Sequence, residues 1–142
     1  MSMRTEKDFL GEKQLPDSAY YGVQTLRGKE NFHITGIPMS TEPYFVKAFG
    51  YVKKAAALAN RDLGVLDATV ANAIAAACDR LIAGEMADQF VTDFIQGGAG
   101  TSTNMNANEV IANLALEQLG HQKGEYQYVN PNDHVNFGQS TN

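Results

Sequence analysis

Apolar side chains recur every three or four positions between Ser40 and Gly64, the spacing that places them on one face of an α-helix. The predicted apolar face consists of Phe45, Phe49, Val52, Ala56, Ala59 and Leu63. Ser40 or Thr41 would cap the first turn, and Pro43 suits that turn because its missing N–H is not needed there. Gly64 would then end the helix.

A second helix is predicted directly after the first, between Asp67 as its N-cap and Gly84 as its end. Its apolar face consists of Val70, Ile74, Ala77 and Leu81. Both segments are rich in alanine, which favours the helical state and lets two backbones approach closely. Because the connection between them is short, we expect the two helices to pack as an antiparallel pair.

A third helix is predicted from Thr103 to Leu119, with Gly120 as its C-terminal stop. Its buried face consists of Ala107, Val110, Ile111 and Leu114. The chain after it carries turn signals at Lys123-Gly124 and at Asn130-Pro131-Asn132.

The segment before Ser40 is less regular. Residues 4–9 and 12–15 are predicted to pair as a short hairpin around Leu10-Gly11, whereas residues 19–32 (AYYGVQTLRGKENF) have no clean period and are predicted to be an extended loop. The sequence therefore predicts a mainly α fold in a single domain, residues 1–142. It would contain about three principal helices plus short helices and a small N-terminal β-hairpin.

Composition narrows the class of protein. A chain of 142 residues with 44% hydrophobic and 19% charged residues is typical of one globular domain, which excludes disordered, collagen-like and coiled-coil classes. The net charge of −5 argues against nucleic acid as a partner. Lys53-Lys54 is the only adjacent basic pair, and it is interpreted as a solvated helix face.

Neither a membrane span nor a secretory signal is predicted. No run of about 18 apolar residues occurs, and the N-terminal MSMRTEKDF has no apolar segment after its basic residue. Cys78 alone cannot form an internal disulfide, which fits a reducing compartment. We therefore expect a cytoplasmic protein that does not bind membranes.

The most informative chemistry lies between Gln96 and Glu109, in the segment QGGAGTSTNMNANE. Glycines at positions 97, 98 and 100 precede the predicted third helix. Glycines let the backbone approach a ligand closely, and a helix N-terminus offers free N–H donors and partial positive charge, so an anion fits here. The neutral side-chain donors that follow are Thr101, Ser102, Thr103, Asn104, Asn106 and Asn108.

The absence of a lysine after the glycines limits which kind of anion this segment would bind. A phosphate-binding loop carries a lysine after its last glycine, whereas no lysine occurs between Lys54 and Lys123. Nucleoside triphosphate binding is therefore not expected, and a carboxylate suits hydroxyl and N–H donors better. The alternative is that the glycines form a tight turn and that Thr103 caps a helix.

A second polar cluster, NPNDHVNFGQSTN, runs from Asn130 to Asn142. Asp133 beside His134 suggests acid–base chemistry, because a carboxylate can orient an imidazole. Turn and cap residues are the favoured interpretation of that pair, since adjacent side chains rarely face each other. The last neutral donors of the cluster are Gln139, Ser140, Thr141 and Asn142. The sharper hypothesis is that both clusters converge on one carboxylate.

Other candidate residues give weaker signals. His33 and His121 lack metal-ligand spacing, and a single cysteine cannot build a structural zinc site. Cys78 is interpreted as a packing residue of the second helix. The tyrosines that would line a pocket or pack at the surface are Tyr20, Tyr21, Tyr126 and Tyr128.

Three segments in order carry a family resemblance. They are YYGVQTLRGKENF, GGAGTSTNMNANEV and NPNDHVNFGQSTN, at residues 20–32, 97–110 and 130–142. They resemble the fumarase/aspartase superfamily, and the resemblance extends over essentially the whole chain. Within it, GHQKGEYQYVNPNDHVN is most similar to the aspartase branch, because class II fumarases carry a histidine where this chain has Asn130.

The resemblance implies a reversible elimination that converts L-aspartate to fumarate and ammonia without an organic cofactor. The positions that match the family's substrate-binding loop and its lining are Ala99, Gly100, Thr101, Ser140, Thr141 and Asn142. Thr101, Ser140 and Thr141 match residues that bind the substrate β-carboxylate, and Asn142 matches one near the amino group or the α-carboxylate. No metal ligand is assigned, and divalent-cation activation of the full enzyme is left open.

The resemblance also covers a second, non-catalytic dicarboxylate site known in fumarases. The matching residues are Asn130, Pro131, Asn132 and Asp133. Asn130 departs from the fumarase histidine at this site. No role in proton transfer is carried over to His134.

The family's proton-abstracting serine lies on a loop of the form G-S-S-x-M-P-x-K-x-N, which has no match in this chain. No catalytic residue is therefore assigned. The resemblance implies the N-terminal domain of a longer homotetrameric lyase, inactive alone, whose partners are its own further domains and the other subunits. The alternatives are a class II fumarase domain acting on malate and fumarate, and a non-catalytic dicarboxylate-binding module.

Overall fold

The computed structural model describes residues 1–139. A β-hairpin of strands β1 (Met3–Asp8) and β2 (Gly11–Pro16) precedes helix α1 (Val23–Asn31). The longer helices are α2 (Pro43–Asp62), α3 (Ala68–Ile82) and α4 (Thr101–Gln118). The predicted mainly α fold with a small N-terminal hairpin is therefore confirmed.

The hairpin turn lies one residue earlier than predicted. Strands β1 and β2 pair antiparallel with Asp8 opposite Gly11, so the two residues between them form the turn. The Arg4 guanidinium fastens the hairpin to the following chain by donating to three backbone carbonyl oxygens between residues 16 and 21, at 2.8–3.0 Å. It also pairs with Glu6 at 2.8 Å.

Helices α2 and α3 form the predicted antiparallel pair. Residues further along α2 contact residues earlier in α3, so the two helices run in opposite directions. The contacts join Gly50 with Ile82, Lys54 with Asp79, and Arg61 with Asn72. The side chain of Asp67 caps α3 by accepting from the N–H of Val70 at 3.1 Å, as predicted. The two backbones come close, because a Cβ at Gly50 would lie 3.0 Å from the carbonyl oxygen of Cys78.

The buried face of α2 differs from the predicted one. The residues that α2 buries are Val46, Gly50, Lys53 and Ala57. Val52, on the predicted face, is 60% exposed, whereas Lys53 is only 2% exposed. Small residues at positions 50 and 57 let α3 pack closely on this side, whereas Phe45 is exposed and Phe49 is only partly buried against the core. The interpretation of Lys53-Lys54 as a solvated pair is therefore wrong for Lys53.

The start of α2 also differs from the prediction. The N-cap position is Glu42, and no side chain caps it, so neither Ser40 nor Thr41 plays the predicted role. Both lie in a short 3-10 turn, where the Thr41 hydroxyl donates to the carbonyl oxygen of Pro38 at 2.8 Å. Pro43 does occupy the first turn of the helix.

Helix α4 lies at the centre of the core and is buried on nearly every side. Its predicted apolar face is buried, but so are polar residues on its other faces. The buried polar residues are Thr103, Asn104, Asn106, Asn108, Glu109 and Asn113. Buried polar groups need hydrogen-bond partners. Asn113, for example, donates to the carbonyl oxygen of Tyr20 at 2.7 Å and accepts from the N–H of Gly124 at 2.8 Å.

Helix α1 occupies the segment predicted to be an extended loop. Its N-cap is Gly22, which has no side chain to satisfy the first N–H groups. Two glutamates from distant parts of the chain do so instead. Glu6 of β1 accepts from the N–H of Val23 at 2.9 Å, and Glu109 of α4 accepts from the N–H and the hydroxyl of Thr25, both at 2.7 Å. A local sequence pattern cannot reveal caps of this kind.

Asp93 organises the segment between α1 and α2. Its carboxylate accepts from the three backbone N–H groups of residues 34–36 at 2.8–3.2 Å. It also accepts from the Ile95 N–H and the Thr35 hydroxyl, both at 2.8 Å. Burial works to raise the pKa of Asp93, but these hydrogen bonds outweigh burial and hold the pKa well below its ordinary value.

Gly22→Ala is expected to lower the free energy of unfolding by about 3 kcal/mol. A Cβ at this position would lie 2.7 Å from Glu6 Oε2 and closer still to Glu109 Oε2, so both carboxylates would have to leave the N–H groups of α1. Chemical denaturation measures the change. Gly98→Ala is the control, because a Cβ there meets nothing within 4 Å. Equal effects of the two substitutions would contradict this account of α1.

Asp93→Asn is expected to lower the midpoint of thermal unfolding at neutral pH, since the amide loses the charge that five hydrogen bonds stabilise. A depressed folded-state pKa contributes stability above the unfolded value, and this contribution disappears as the pH falls below about 4. The difference in thermal midpoint between wild type and variant should therefore become smaller at acid pH. Asp62→Asn, at an exposed ion pair with Arg61, serves as the control and should show a small gap throughout. A gap for Asp93→Asn that stays constant with pH would refute the assignment.

Candidate functional site

The glycine-rich loop and the start of α4 line an open cavity of about 550 Å³. The loop residues on its wall are Gly97, Gly98, Ala99 and Gly100. Thr103 and Asn104 of α4 and the rings of Phe45, Phe49 and Phe94 form other parts of the wall. Gly100 adopts a positive φ of 78°, which favours glycine, and α4 begins at the next residue. Thr101 is therefore the first helical residue, two positions earlier than predicted. The N–H groups of the first turn and the positive end of the helix dipole lie beside this loop.

Gln96 fixes the beginning of α4. Its Oε1 accepts from the N–H of Thr103 at 2.8 Å, and its Nε2 donates to the carbonyl oxygen of Asp93 at 3.2 Å and to the Thr103 hydroxyl. Thr103 is buried in this arrangement and does not cap the helix, so that part of the alternative is wrong. The glycines do form a tight turn, in which the N–H of Gly100 donates to the carbonyl oxygen of Gly97 at 3.0 Å. The side chain of Gln96 instead satisfies one N–H group of the helix end, that of Thr103.

The predicted donors of the first cluster fall into two groups, those buried in the core and those near the surface. Asn106 belongs to the core, because it accepts from the N–H of Val91 and donates to the carbonyl oxygen of Gln89, both at 2.9 Å. Asn108 is also fully buried inside the fold. Thr101 and Ser102 are partly exposed at the start of α4, but the α4 residues on the cavity wall are Thr103 and Asn104. The donors that can face a ligand are therefore fewer than the sequence pattern suggested.

A hydrogen-bond network joins the two polar clusters. Asn136 Oδ1 accepts from Asn104 Nδ2 at 3.1 Å and from Lys53 Nζ at 2.8 Å. Lys53 Nζ also donates to Gln139 Oε1 at 3.0 Å. Asn104 lies in the first turn of α4, and Gln139 immediately precedes Ser140. The clusters are thus neighbours as far as residue 139. Ser140, Thr141 and Asn142 lie outside the described residues.

Lys53 is a residue of this network that sequence reasoning missed. Burial lowers its pKa to about 8. The signal was present in the sequence, because Lys53 shares a helical face with Val46, Gly50 and Ala57. A helix face of small residues can be buried just as a face of large apolar residues can. Lys53 lies on such a face of small residues.

Asp133 and His134 belong to a turn. Residues 131–135 form a single wide helical turn, capped by the Asn130 side chain, which accepts from the N–H groups of Asn132 and Asp133 at 2.8 and 2.9 Å. His134 Nδ1 accepts from the N–H of Asn130 at 2.8 Å. Asp133 is exposed. This supports the favoured interpretation of these residues as turn and cap residues.

The proposed second anion site lies on a different cavity of about 380 Å³. Asn130, Pro131 and Asn132 line it together with Glu109 and other residues, whereas Asp133 is absent from its wall. Burial, strengthened by the nearby Glu6 and opposed by hydrogen bonds from Thr25, raises the pKa of Glu109 to about 8. The structure therefore places three of the four matched residues on one wall.

The cysteine and tyrosine candidates make contacts that belong to the fold. Cys78 is buried, and burial raises the pKa of its thiol to about 12, so it packs as predicted. Tyr20 donates to Glu117 at 2.8 Å, and Tyr128 stacks on His121 with ring centroids 3.8 Å apart. Within residues 1–139, no three acidic, histidine or cysteine side chains are arranged to hold a metal ion. Over the same range, no helix is both long and apolar enough to cross a membrane.

The chain is similar to known lyases along nearly its whole length. It is 61% identical over 140 residues to an aspartate ammonia-lyase of Helicobacter pylori strain J99, and 58% identical over 142 residues to one of Escherichia coli strain K12. Each alignment covers 99% of this chain and 30% of the relative. The chain therefore spans about 30% of the length of these relatives.

Solved structures share the fold. A crystal structure of a Brucella melitensis fumarate lyase:delta crystallin in native form superposes with a TM-score of 0.94 at 54% identity, covering 97% of this chain and 31% of that one. A recombinant class II fumarase from Schistosoma mansoni superposes with a TM-score of 0.91 at 36% identity, covering 99% and 29%. The family described as Lyase (Lyase_1) matches residues 11–142. With its glycine loop, helix and fold all in place, the chain belongs to this lyase family, within the fumarase/aspartase superfamily.

Proposed function

We propose that residues 1–142 are the N-terminal domain of an aspartate ammonia-lyase, which interconverts L-aspartate with fumarate and ammonia. The observation that carries the proposal is the cavity formed by the glycine loop and the first turn of α4. Its polar groups are neutral donors, which suit a carboxylate. The higher identity to aspartate ammonia-lyases than to the class II fumarase favours aspartate over malate as the substrate.

The chemistry of the elimination explains the need for neutral donors. A base removes a proton from C3 of aspartate, and the electron pair is held as the aci-form of the β-carboxylate, which then carries a second negative charge. That pair forms the C2=C3 double bond while the C2–N bond breaks and ammonia leaves. Prearranged hydrogen-bond donors stabilise the developing charge with little reorganisation, each by roughly 3–4 kcal/mol. We assign this role to Thr101, Ser140 and Thr141, and we place Asn142 near the amino group or the α-carboxylate.

The base must come from outside this wall of the site. None of the side chains that line the cavity within the described residues is ionisable. A group that removes a carbon-bound proton needs a basic form near neutral pH, so we infer that another part of a longer polypeptide, or another subunit, supplies it. We further propose that the full-length enzyme is a cytoplasmic homotetramer that uses no organic cofactor.

The full-length protein is expected to convert L-aspartate to fumarate, detected by the ultraviolet absorbance of the conjugated product. Residues 1–142 alone should be inactive, because no ionisable side chain lines the cavity within residues 1–139. Faster turnover of L-malate than of L-aspartate would instead establish the fumarase alternative. Tight binding of fumarate by the isolated chain, without activity of the full-length protein, would establish a binding module.

Thr101→Ala and Ser140→Ala in the full-length protein should each lower kcat by about 100- to 1,000-fold, the effect of removing one donor to a developing oxyanion. Steady-state kinetics with L-aspartate measure this. Thr69→Ala is the matched control, because Thr69 is exposed on α3, and its kcat should equal that of the wild type. Unchanged kcat in Thr101→Ala and Ser140→Ala would remove these residues from the site.

A further inference from the structure

Lys53 is a buried ammonium whose acceptors are uncharged. It is 2% exposed, and within the described residues its two acceptors are the amide oxygens of Asn136 and Gln139. Buried lysines are rare, and they are usually paired with a carboxylate because desolvating a charge costs several kcal/mol. Stability alone would therefore favour an apolar side chain at this position.

Each acceptor of Lys53 is linked to a residue of the proposed carboxylate site or its wall. Gln139 directly precedes Ser140, and its Nε2 donates to the carbonyl oxygen of Val135 at 2.9 Å, so both ends of its amide are held. Asn136 shares its Oδ1 between Lys53 and Asn104 of the first turn of α4. One ammonium therefore holds the segment that leads to Ser140 and, through Asn136, connects this segment with α4.

We propose that Lys53 is a positioning residue for the reaction, which holds residues 136–139, the segment before Ser140 in the sequence, against the N-terminus of α4. This inference rests on the proposed function, because it concerns the same carboxylate site. The positive charge also has a direct use. No carboxylate among the described partners of Lys53 neutralises it, so it contributes a favourable potential to a region that binds an anion.

Lys53→Met in the full-length enzyme tests the proposal, and Lys54→Met is the matched control. Lys54 is the next residue of α2 and pairs at the surface with Asp79. We expect kcat/KM of Lys53→Met to fall by about 100-fold, the effect of misplacing binding groups by about an ångström. Lys54→Met should keep wild-type kinetics.

The pH profile separates positioning from simple packing. A pKa of about 8 leaves Lys53 charged at neutral pH and neutral above, so wild-type activity should decline as the pH rises through that value. Of the groups that contact Lys53 or act on it electrostatically in the described chain, Cys78 on α3 is the titratable one, and a pKa of about 12 keeps its thiol neutral here. Lys53→Met should lack this decline.

Gln139→Glu provides a second variant that retains Lys53. A carboxylate opposite the ammonium raises the pKa of the lysine, so the alkaline decline in activity should move to higher pH. Wild-type kcat/KM in Lys53→Met, or an alkaline decline that stays in place in Gln139→Glu, would overturn the proposal. If Lys53→Met unfolds, the position of the decline in Gln139→Glu decides alone.

A failure of the proposed function can be distinguished from a failure of the proposal for Lys53. A wild-type enzyme that does not produce fumarate from L-aspartate refutes that function without reference to Lys53. If the enzyme consumes L-malate instead, the same three variants are compared on malate, where the positioning role predicts the same loss and the same shift.

Discussion

The architecture depends on the need to pair the polar side chains that α4 buries. A helix buried on nearly every side usually carries apolar residues, but α4 carries threonine, asparagine and glutamate in the core. Leaving such a group unpaired costs about 1–3 kcal/mol or more. Each group for which a partner is described holds another segment of the chain in place. Glu109 holds the start of α1, Asn106 holds residues 89–91, and Asn113 holds residues 20 and 124.

The same constraint shapes the site. The first turn of α4 is fixed by Gln96 on one side and by Asn104 with Asn136 on the other, so the glycine loop reaches the helix in one arrangement. Electrostatic stabilisation of a reaction works best when the donors do not move as charge develops. A helix end that is held by buried hydrogen bonds meets this requirement. The polar interior of the domain and its proposed chemistry therefore depend on the same interactions.

Elements with a local pattern could be predicted from the sequence. Helix α3 was predicted with its cap at Asp67, because a periodic apolar face and a capping side chain both lie within a few residues of each other. Helix α1 could not be predicted, since its caps come from Glu6 and Glu109, which are remote in sequence. The buried side of α2 was also misjudged. Periodicity locates an apolar face, but a neighbouring helix can select a face of small residues and a lysine instead.

The sequence by itself determined the helical class, the hairpin, the glycine loop before α4 and the family resemblance, because each depends on residues that are close together in the sequence. Only the tertiary structure decided which polar residues face a ligand and which support the fold. Asn106 and Thr103 support the fold, and Lys53 joins the two polar clusters. The physical reason is that a side chain's role follows from its hydrogen-bond partners and its burial. In this chain those partners come from segments tens of residues away, and their positions are fixed only when the core closes around α4.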